Sequence, residues 1–69
     1  MSISLGQQMR SIRQNSRMTQ RELAELSGVH FNTIINFENG KRFPSTETAS
    51  ILFNAMGYEL VIAKKTERR

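Results

Sequence analysis

The sequence predicts an all-α bundle of four short helices followed by one β-strand. Two segments open with Ser or Thr and carry Gln or Glu three residues later, a spacing that satisfies the first amides of a helix. Apolar residues recur at helical spacing between glycines that can end a helix. Beyond Gly57 the apolar residues alternate instead, which is typical of a strand.

The first two helices are predicted from capping boxes. Ser4 and Gln7 begin a helix that we expect to end at Asn15, and Thr19 and Glu22 begin a second one. The side chains expected to face the core are Leu5, Met9 and Ile12 in the first helix and Leu23, Ala24 and Leu26 in the second.

Two further helices are predicted on either side of the basic loop Lys41-Arg42-Phe43-Pro44. The third covers residues 31–39 and buries Ile34 and Phe37, and the fourth covers residues 46–56 with Ser45 as its cap. The fourth helix has an apolar face with the spacing i, i+3, i+4, i+7. This face consists of Ala49, Leu52, Phe53 and Met56.

The composition of the chain excludes several classes of function. The chain has 69 residues, a net charge of +4 and no cysteine, which leaves room for one small domain and excludes disulfides, thiol catalysis and Cys-based zinc sites. The single histidine, His30, has no partners for a metal site, so we expect no metal, no cofactor and no enzyme activity. We find no signal peptide or membrane span and expect a cytoplasmic protein whose basic charge suits a polyanionic partner.

The spacing between Gln20 and Phe37 is the most specific signal in the chain. It predicts two helices joined by a tight turn at Gly28, with the small residue Ala24 four positions earlier, where the two backbones cross. Such a helix-turn-helix can place its second helix in the major groove of DNA.

Several motifs at this spacing resemble the Cro/CI-type (XRE) helix-turn-helix repressors over residues 5–57. They are Leu5-Gly6-x-x-Met9-Arg10-x-Ile12-Arg13, Met18-Thr19-Gln20-x-Glu22-Leu23-Ala24, Gly28-Val29-x-x-x-Thr33-Ile34-x-x-Phe37-Glu38-Asn39-Gly40-Lys41-Arg42 and Pro44-Ser45. The resemblance implies a lambda-repressor-like bundle and a bacterial, nucleoid-associated repressor of transcription. One departure is Arg17, where the family usually has a helix-ending glycine, so we expect a local difference in the first turn.

The resemblance also implies which residues contact DNA. Base-reading positions lie at the start and on the outer face of the third helix, where Asn suits adenine and apolar groups suit thymine methyls. They are Phe31, which we expect to be exposed, Asn32, Thr33 and Asn36. The residues implied to contact phosphates are Gln20, Arg21, His30, Asn39, Lys41 and Arg42. Arg10 is a further candidate, although ordinary solvation explains Arg10 and Arg21 equally well, and Ile35 stays unassigned.

Two of these positions carry a structural role by the same resemblance. Arg13 and Glu38 are implied to form an internal ion pair between the first helix and the end of the third. Gln20 is implied to brace the third helix as well as to touch a phosphate.

The predicted strand at residues 58–63 has no second strand in the chain to pair with. We therefore expect it to pair with the same strand of a second copy, the alternative being an extended tail packed on the fourth helix. The face carrying Tyr58, Leu60 and Ile62 would lie against that helix, and Val61 completes the set of dimer residues. The expected parts are thus a helical domain at residues 1–57, a dimerising strand at 58–63 and a basic, flexible tail at 64–69.

Residues 57–62 resemble the C-terminal strand of HipB-like antitoxins. The sequence therefore favours a homodimeric repressor of a palindromic operator that controls its own operon and binds a HipA-like toxin. A free-standing phage or plasmid regulator is the alternative. An RNA-binding or membrane-surface module is less favoured, because the polar helix faces mix Glu with Arg and the aromatic residues mostly fit core positions.

Overall fold

The computed structural model describes residues 4–61. They form four α-helices, α1 (Leu5–Asn15), α2 (Gln20–Ser27), α3 (Phe31–Glu38) and α4 (Thr46–Ala55). The helical bundle predicted from the sequence is confirmed, with each boundary within one residue of its expected place.

Both predicted capping boxes are confirmed. The hydroxyl of Ser4 accepts from the backbone amide of Gln7 and the Gln7 side chain accepts from the amide of Ser4, both at 3.2 Å. The hydroxyl of Thr19 accepts from the amide of Glu22 at 3.0 Å, and the Glu22 carboxylate accepts from the amide of Thr19 at 2.8 Å. Because each box satisfies two first-turn amides, the starts of α1 and α2 are fixed by local sequence.

The ends of α3 and α4 come one residue earlier than predicted. Asn39 and Met56, expected as the last helical residues, occupy the C-cap positions instead. In both cases the next residue is a glycine with positive φ, Gly40 at 77° and Gly57 at 87°. A left-handed residue directly after the C-cap is a common way to end a helix, so the glycines set these boundaries.

A single core joins the four helices, and it contains the apolar residues expected from the helical spacing. Partly buried residues surround it, among them Leu5, Ala24 and Met56. The side chains that are at most 4% exposed are Met9, Leu23, Ile34, Phe37, Ala49, Leu52 and Phe53.

Leu26 is an error of the sequence prediction. It was expected to face inward, but it is 61% exposed. The inner side of α2 runs through Gln20, Leu23, Ala24 and Ser27, the positions of this helix that are buried or half-buried. At 100° per residue, Leu26 lies roughly 110° around the helix from the middle of that stripe, so it points away from the core.

Gly6 lets α1 approach the C-terminal end of α3. Gly6 is buried, and a Cβ atom placed on it would overlap the carbonyl oxygen of Phe37. The same carbonyl oxygen accepts a hydrogen bond from the amide of Gly40 at 3.2 Å. Contact between the backbones of α1 and α3 therefore requires a glycine at this position. The sequence motif contains Gly6 but does not show this reason for it.

The turn between α1 and α2 keeps the conformation that a glycine would favour. Arg17 has a φ of 57°, the only positive φ of a non-glycine residue among residues 4–61. The left-handed region also ends α2, where Gly28 has a φ of 78° as predicted. Arg17 thus differs from the family's usual glycine in its side chain, but its backbone still adopts the left-handed conformation that a glycine favours.

The segment after α4 shows neither helix nor strand over residues 58–61, and the rest of the predicted strand, Ile62 and Ala63, lies outside the described residues. Its start is tied back to α4, since the amide of Tyr58 donates to the carbonyl oxygen of Phe53 at 2.9 Å. Leu60 packs against the core as expected. Tyr58 is 52% exposed and is not among the residues packed against the core, so its expected contact with α4 stays a prediction.

Candidate nucleic-acid interface

The predicted ion pair between Arg13 and Glu38 is present and joins α1 to α3. The Arg13 guanidinium of α1 donates from Nε to Glu38 Oε2 at 2.8 Å and from Nη2 to Oε1 at 3.0 Å. The two side chains are 9% and 1% exposed. Such a two-point contact is the strongest arrangement of this pair of groups, and it fixes the C-terminal end of α3 against α1.

Gln20 extends this network to α2. Its side-chain amide donates to Glu38 Oε1 at 3.1 Å, so the Glu38 carboxylate is contacted from α1 and α2 together. Gln20 is half-buried and is the first residue of α2. The bracing position implied for Gln20 agrees with this geometry, and its contact with a phosphate stays a prediction.

His30 caps the N-terminus of α3 with its ring. Its Nδ1 atom accepts from the backbone amide of Asn32 at 3.1 Å. An accepting Nδ1 carries no proton, so the ring's hydrogen-bond donor is Nε2–H on its opposite side. His30 is exposed, and that donor is available at the end of the helix where anions are favoured.

Phe31 is half-buried, which corrects the expectation that it is exposed. The guanidinium carbon of Arg21 lies 4.5 Å from the centroid of its ring. Arg21 comes from the first turn of α2 and Phe31 is the first residue of α3. The tight turn at Gly28 folds the two helices together so that a cation covers the aromatic side chain at the start of α3.

Three of the four predicted base-reading residues line one small hollow. Asn32, Thr33 and Asn36 on the outer side of α3 enclose about 110 Å³ together with Arg42 and Pro44 from the following loop. Residues that carry amide, hydroxyl and guanidinium groups therefore line one side of the helix. Of these five residues, Pro44 was not expected to contribute.

The loop after α3 is held against that helix by its backbone. The carbonyl oxygen of Asn36 accepts from the amides of Lys41 and Arg42, at 2.9 and 3.3 Å. Both side chains are exposed, as is Asn39 at the C-cap. These residues thus continue the outer face of α3 with two cations, in the place where the resemblance implies phosphate contacts.

The charges on this side of the molecule are unbalanced. Arg21, Lys41 and Arg42 are exposed, and none of them forms an ion pair within residues 4–61. The acid at the C-terminal end of α3, Glu38, is buried under Arg13 and Gln20. The resulting surface is positive and offers many N–H donors, which suits the phosphate backbone of a nucleic acid.

A second, more voluminous hollow lies away from α3. A groove of about 540 Å³ between the α1–α2 turn and α2 is lined by Arg17, Met18, Glu22, Glu25, Leu26 and Ser16. The groove is open to solvent and therefore does not enclose a small molecule. Over residues 4–61, no three His, Cys, Asp or Glu side chains come together as metal ligands, and no helix is long and apolar enough to cross a membrane.

Arg10 and Ile35, the two further residues considered for DNA contacts, do not line the hollow on α3. Arg10 is exposed on α1 and Ile35 is half-buried on α3. Sequence reasoning missed the pairing of Arg21 with Phe31 and the contribution of Pro44. No sequence signal marks either one, since both depend on how separate elements pack.

Comparison with known proteins agrees with this geometry. No curated protein sequence matches the chain. Residues 9–62 match the family HTH_3, described as Helix-turn-helix, which covers most of the chain and all four helices in part or in full. This is a family of DNA-binding regulatory domains and not of enzymes. The chain therefore belongs to the HTH_3 (XRE-type, Cro/CI) helix-turn-helix family and is a DNA-binding transcription regulator.

Proposed function

We propose that the protein is a sequence-specific repressor that reads operator DNA with the outer face of α3. The observation that carries this proposal is the convergence of Asn32, Thr33 and Asn36 with Arg42 on one side of that helix. Asn side chains can form two hydrogen bonds with adenine in the major groove, and the Thr methyl can contact a thymine methyl. In this proposal the protein acts in the bacterial cytoplasm on the nucleoid.

The cations around α3 supply affinity and orientation in this proposal. Arg21, Lys41 and Arg42 are exposed and free of ion pairs within the described residues, so they are available to phosphates. Gln20, His30 and Asn39 add polar donors at the ends of α2 and α3. Phosphate contacts of this kind fix the register of a protein on the duplex without reading its sequence.

Selection of bound sequences from random duplex DNA, followed by titrations across salt, tests the proposal. Asn32→Ala and Asn36→Ala each should cost about 1–3 kcal/mol at one base position per half-site and relax the preference there. Lys41→Ala should weaken all duplexes equally and reduce the slope of log affinity against log salt by about one unit.

Asn54→Ala provides the matched control for the asparagine variants. Asn54 is exposed on α4 and takes no part in the hollow on α3, so its removal should leave both affinity and preference unchanged. Equal affinity for selected and random duplexes would contradict sequence-specific binding. Identical behaviour of the Asn and Lys variants would contradict the division between base-reading and phosphate-contacting residues.

We further propose that the active form is a homodimer. A pairing of segments 58–63 from two copies would place two α3 helices about 34 Å apart, one turn of DNA, which matches a palindromic operator. Two exposed apolar side chains in the described part of that segment, Tyr58 and Val61, support a surface that a second copy can cover.

The regulatory setting that we propose is an antitoxin that represses its own operon and binds a HipA-like toxin. Its support is the resemblance of residues 57–62 to the C-terminal strand of HipB-like antitoxins. Co-purification with the product of the neighbouring gene tests it. Absence of a complex with that product favours the second candidate, a free-standing phage or plasmid regulator with the same operator-binding surface.

A further inference from the structure

The contact between Arg21 and Phe31 joins a charged group to an apolar group at the end of α3 where base contacts begin. The guanidinium carbon lies 4.5 Å from the ring centroid, within the range of a cation–π interaction. Within residues 4–61 the guanidinium N–H groups have no hydrogen-bond acceptor and no ion-pair partner. Arg21 therefore holds the ring of Phe31 while its own donors remain free.

Phe31 is not a member of the core. The buried cluster and the apolar residues packed around it do not include Phe31, although its ring is half-buried. The partial burial agrees with its contact with Arg21, and a half-buried ring keeps an accessible apolar edge. An apolar edge fixed in place at the start of a recognition helix needs an apolar partner on DNA.

The major groove offers few apolar groups. Each base edge there presents hydrogen-bond donors and acceptors, and the apolar exception is the methyl group on C5 of thymine. The same group is present on 5-methylcytosine. The chemistry that fits Phe31 is thus a 5-methylpyrimidine, from either of these two bases.

We propose that Phe31 and Arg21 form one recognition unit for a 5-methylpyrimidine and its flanking phosphate. The ring of Phe31 contacts the methyl group. Arg21 is a positioning residue that holds the ring and donates its free N–H groups to the phosphate, a geometry that a planar guanidinium favours. This inference rests on the proposed function, because it requires α3 to enter the major groove.

The test uses the full chain and the operator selected from random duplexes. Each thymine of a half-site is replaced in turn by deoxyuridine, which removes the methyl group alone. At one position per half-site the affinity of the unmodified protein should fall about fourfold, the value for loss of one buried methyl group. At that position 5-methylcytosine should bind about fourfold more tightly than cytosine, because these two bases also differ by the methyl group alone.

Two variants connect this effect to the pair of residues. At that position Phe31→Ala should bind the thymine and deoxyuridine duplexes equally. Arg21→Lys keeps the charge but loses the planar stack, so its preference for the methyl group should fall below about twofold while its salt dependence stays unchanged. Arg17→Lys is the matched control, because Arg17 is exposed and does not contact Phe31, and it should retain the full preference.

Circular dichroism of every variant should show the helix content of the unmodified protein, since neither residue belongs to the core. Equal affinity for thymine and deoxyuridine at all positions would overturn the inference while leaving sequence-specific binding intact. A full methyl preference in Arg21→Lys would reject Arg21 as a positioning residue. Failure to select any sequence would refute the proposed function and, with it, this inference.

Discussion

Breaking the Arg13–Glu38 pair one residue at a time should unfold much of the protein. In Arg13→Met, the Glu38 carboxylate remains in a side chain that is 1% exposed and keeps Gln20 as its hydrogen-bond donor. In Glu38→Leu, the Arg13 guanidinium remains 9% exposed, with the carbonyl oxygen of Met18 at 2.8 Å as its acceptor. Each single change thus leaves one buried charge without its oppositely charged partner.

The geometry sets the expected magnitude. Removing one partner of a buried pair costs about 3–5 kcal/mol, because the remaining charge is uncompensated. A chain of 69 residues has a total stability of roughly 3–10 kcal/mol. Either single variant should therefore lose about a third of its stability or more. The double variant Arg13→Met/Glu38→Leu strands no charge, so it should be more stable than either single variant.

Urea denaturation followed by circular dichroism measures this cycle of variants. If a single variant is unfolded in the absence of urea, recovery of the helical signal in the double variant decides the result. Additive losses, with a double variant less stable than both single variants, would refute the reasoning. So would a loss below about 1 kcal/mol in Arg13→Met, which is the value typical of a solvent-exposed pair.

Two further changes test separate features of the fold. Gly6→Ala should destabilise the protein by about 1–3 kcal/mol in urea denaturation, because its Cβ would overlap the Phe37 carbonyl oxygen. Ser11→Ala, on the exposed side of α1, is the control and should not destabilise the protein. Equal stability of the two variants would contradict a close contact between α1 and α3. Val61→Pro should give monomers by sedimentation and lower operator affinity by up to about 10²–10⁴-fold, because proline removes a hydrogen-bond donor from a paired strand. The helix content should stay unchanged, since Val61 is 67% exposed. Val61→Thr retains the donor and should stay dimeric, and a dimeric Val61→Pro protein would show that the copies meet elsewhere.

Features that depend on a few neighbouring residues could be predicted from the sequence. The capping boxes at Ser4 and Thr19 and the left-handed residue at Gly28 belong to this group, because their hydrogen bonds and dihedral angles are decided within a few positions. The buried stripes were also predictable, since helical spacing alone brings their members together. The prediction for Leu26 failed because two residues three apart share a face only when the stripe is centred between them, and the buried stripe of α2 is centred between Leu23 and Ala24 instead.

Contacts between elements could not be predicted from local spacing. Arg13 and Glu38 are 25 positions apart, and only the family resemblance paired them. Arg21 and Phe31 meet because the turn at Gly28 sets the angle between α2 and α3, which no residue pattern specifies. For the same reason the exposure of Phe31 was overestimated.

The turn at Arg17 adopts a backbone conformation that a residue with a side chain disfavours, and hydrogen bonds to the end of α1 hold it there. A left-handed backbone with a side chain costs roughly 1–2 kcal/mol, yet Arg17 has a φ of 57°. The backbone is held on both sides of it, since the amide of Arg17 donates to the carbonyl oxygen of Gln14 at 2.9 Å and the amide of Met18 donates to that of Arg13 at 3.0 Å. The Arg13 guanidinium then donates back to the Met18 carbonyl oxygen at 2.8 Å.

The same buried guanidinium therefore neutralises Glu38 at the end of α3 and closes the turn that leads into α2. Since Gln20 begins α2 two residues after Met18 and also bonds to Glu38, the position of the α2 N-terminus relative to α3 is defined from both sides. A glycine in the turn would relieve local strain without changing either contact. It is Arg13, a residue buried on α1, that determines how the side chains of α2 and α3 are presented on the positive face.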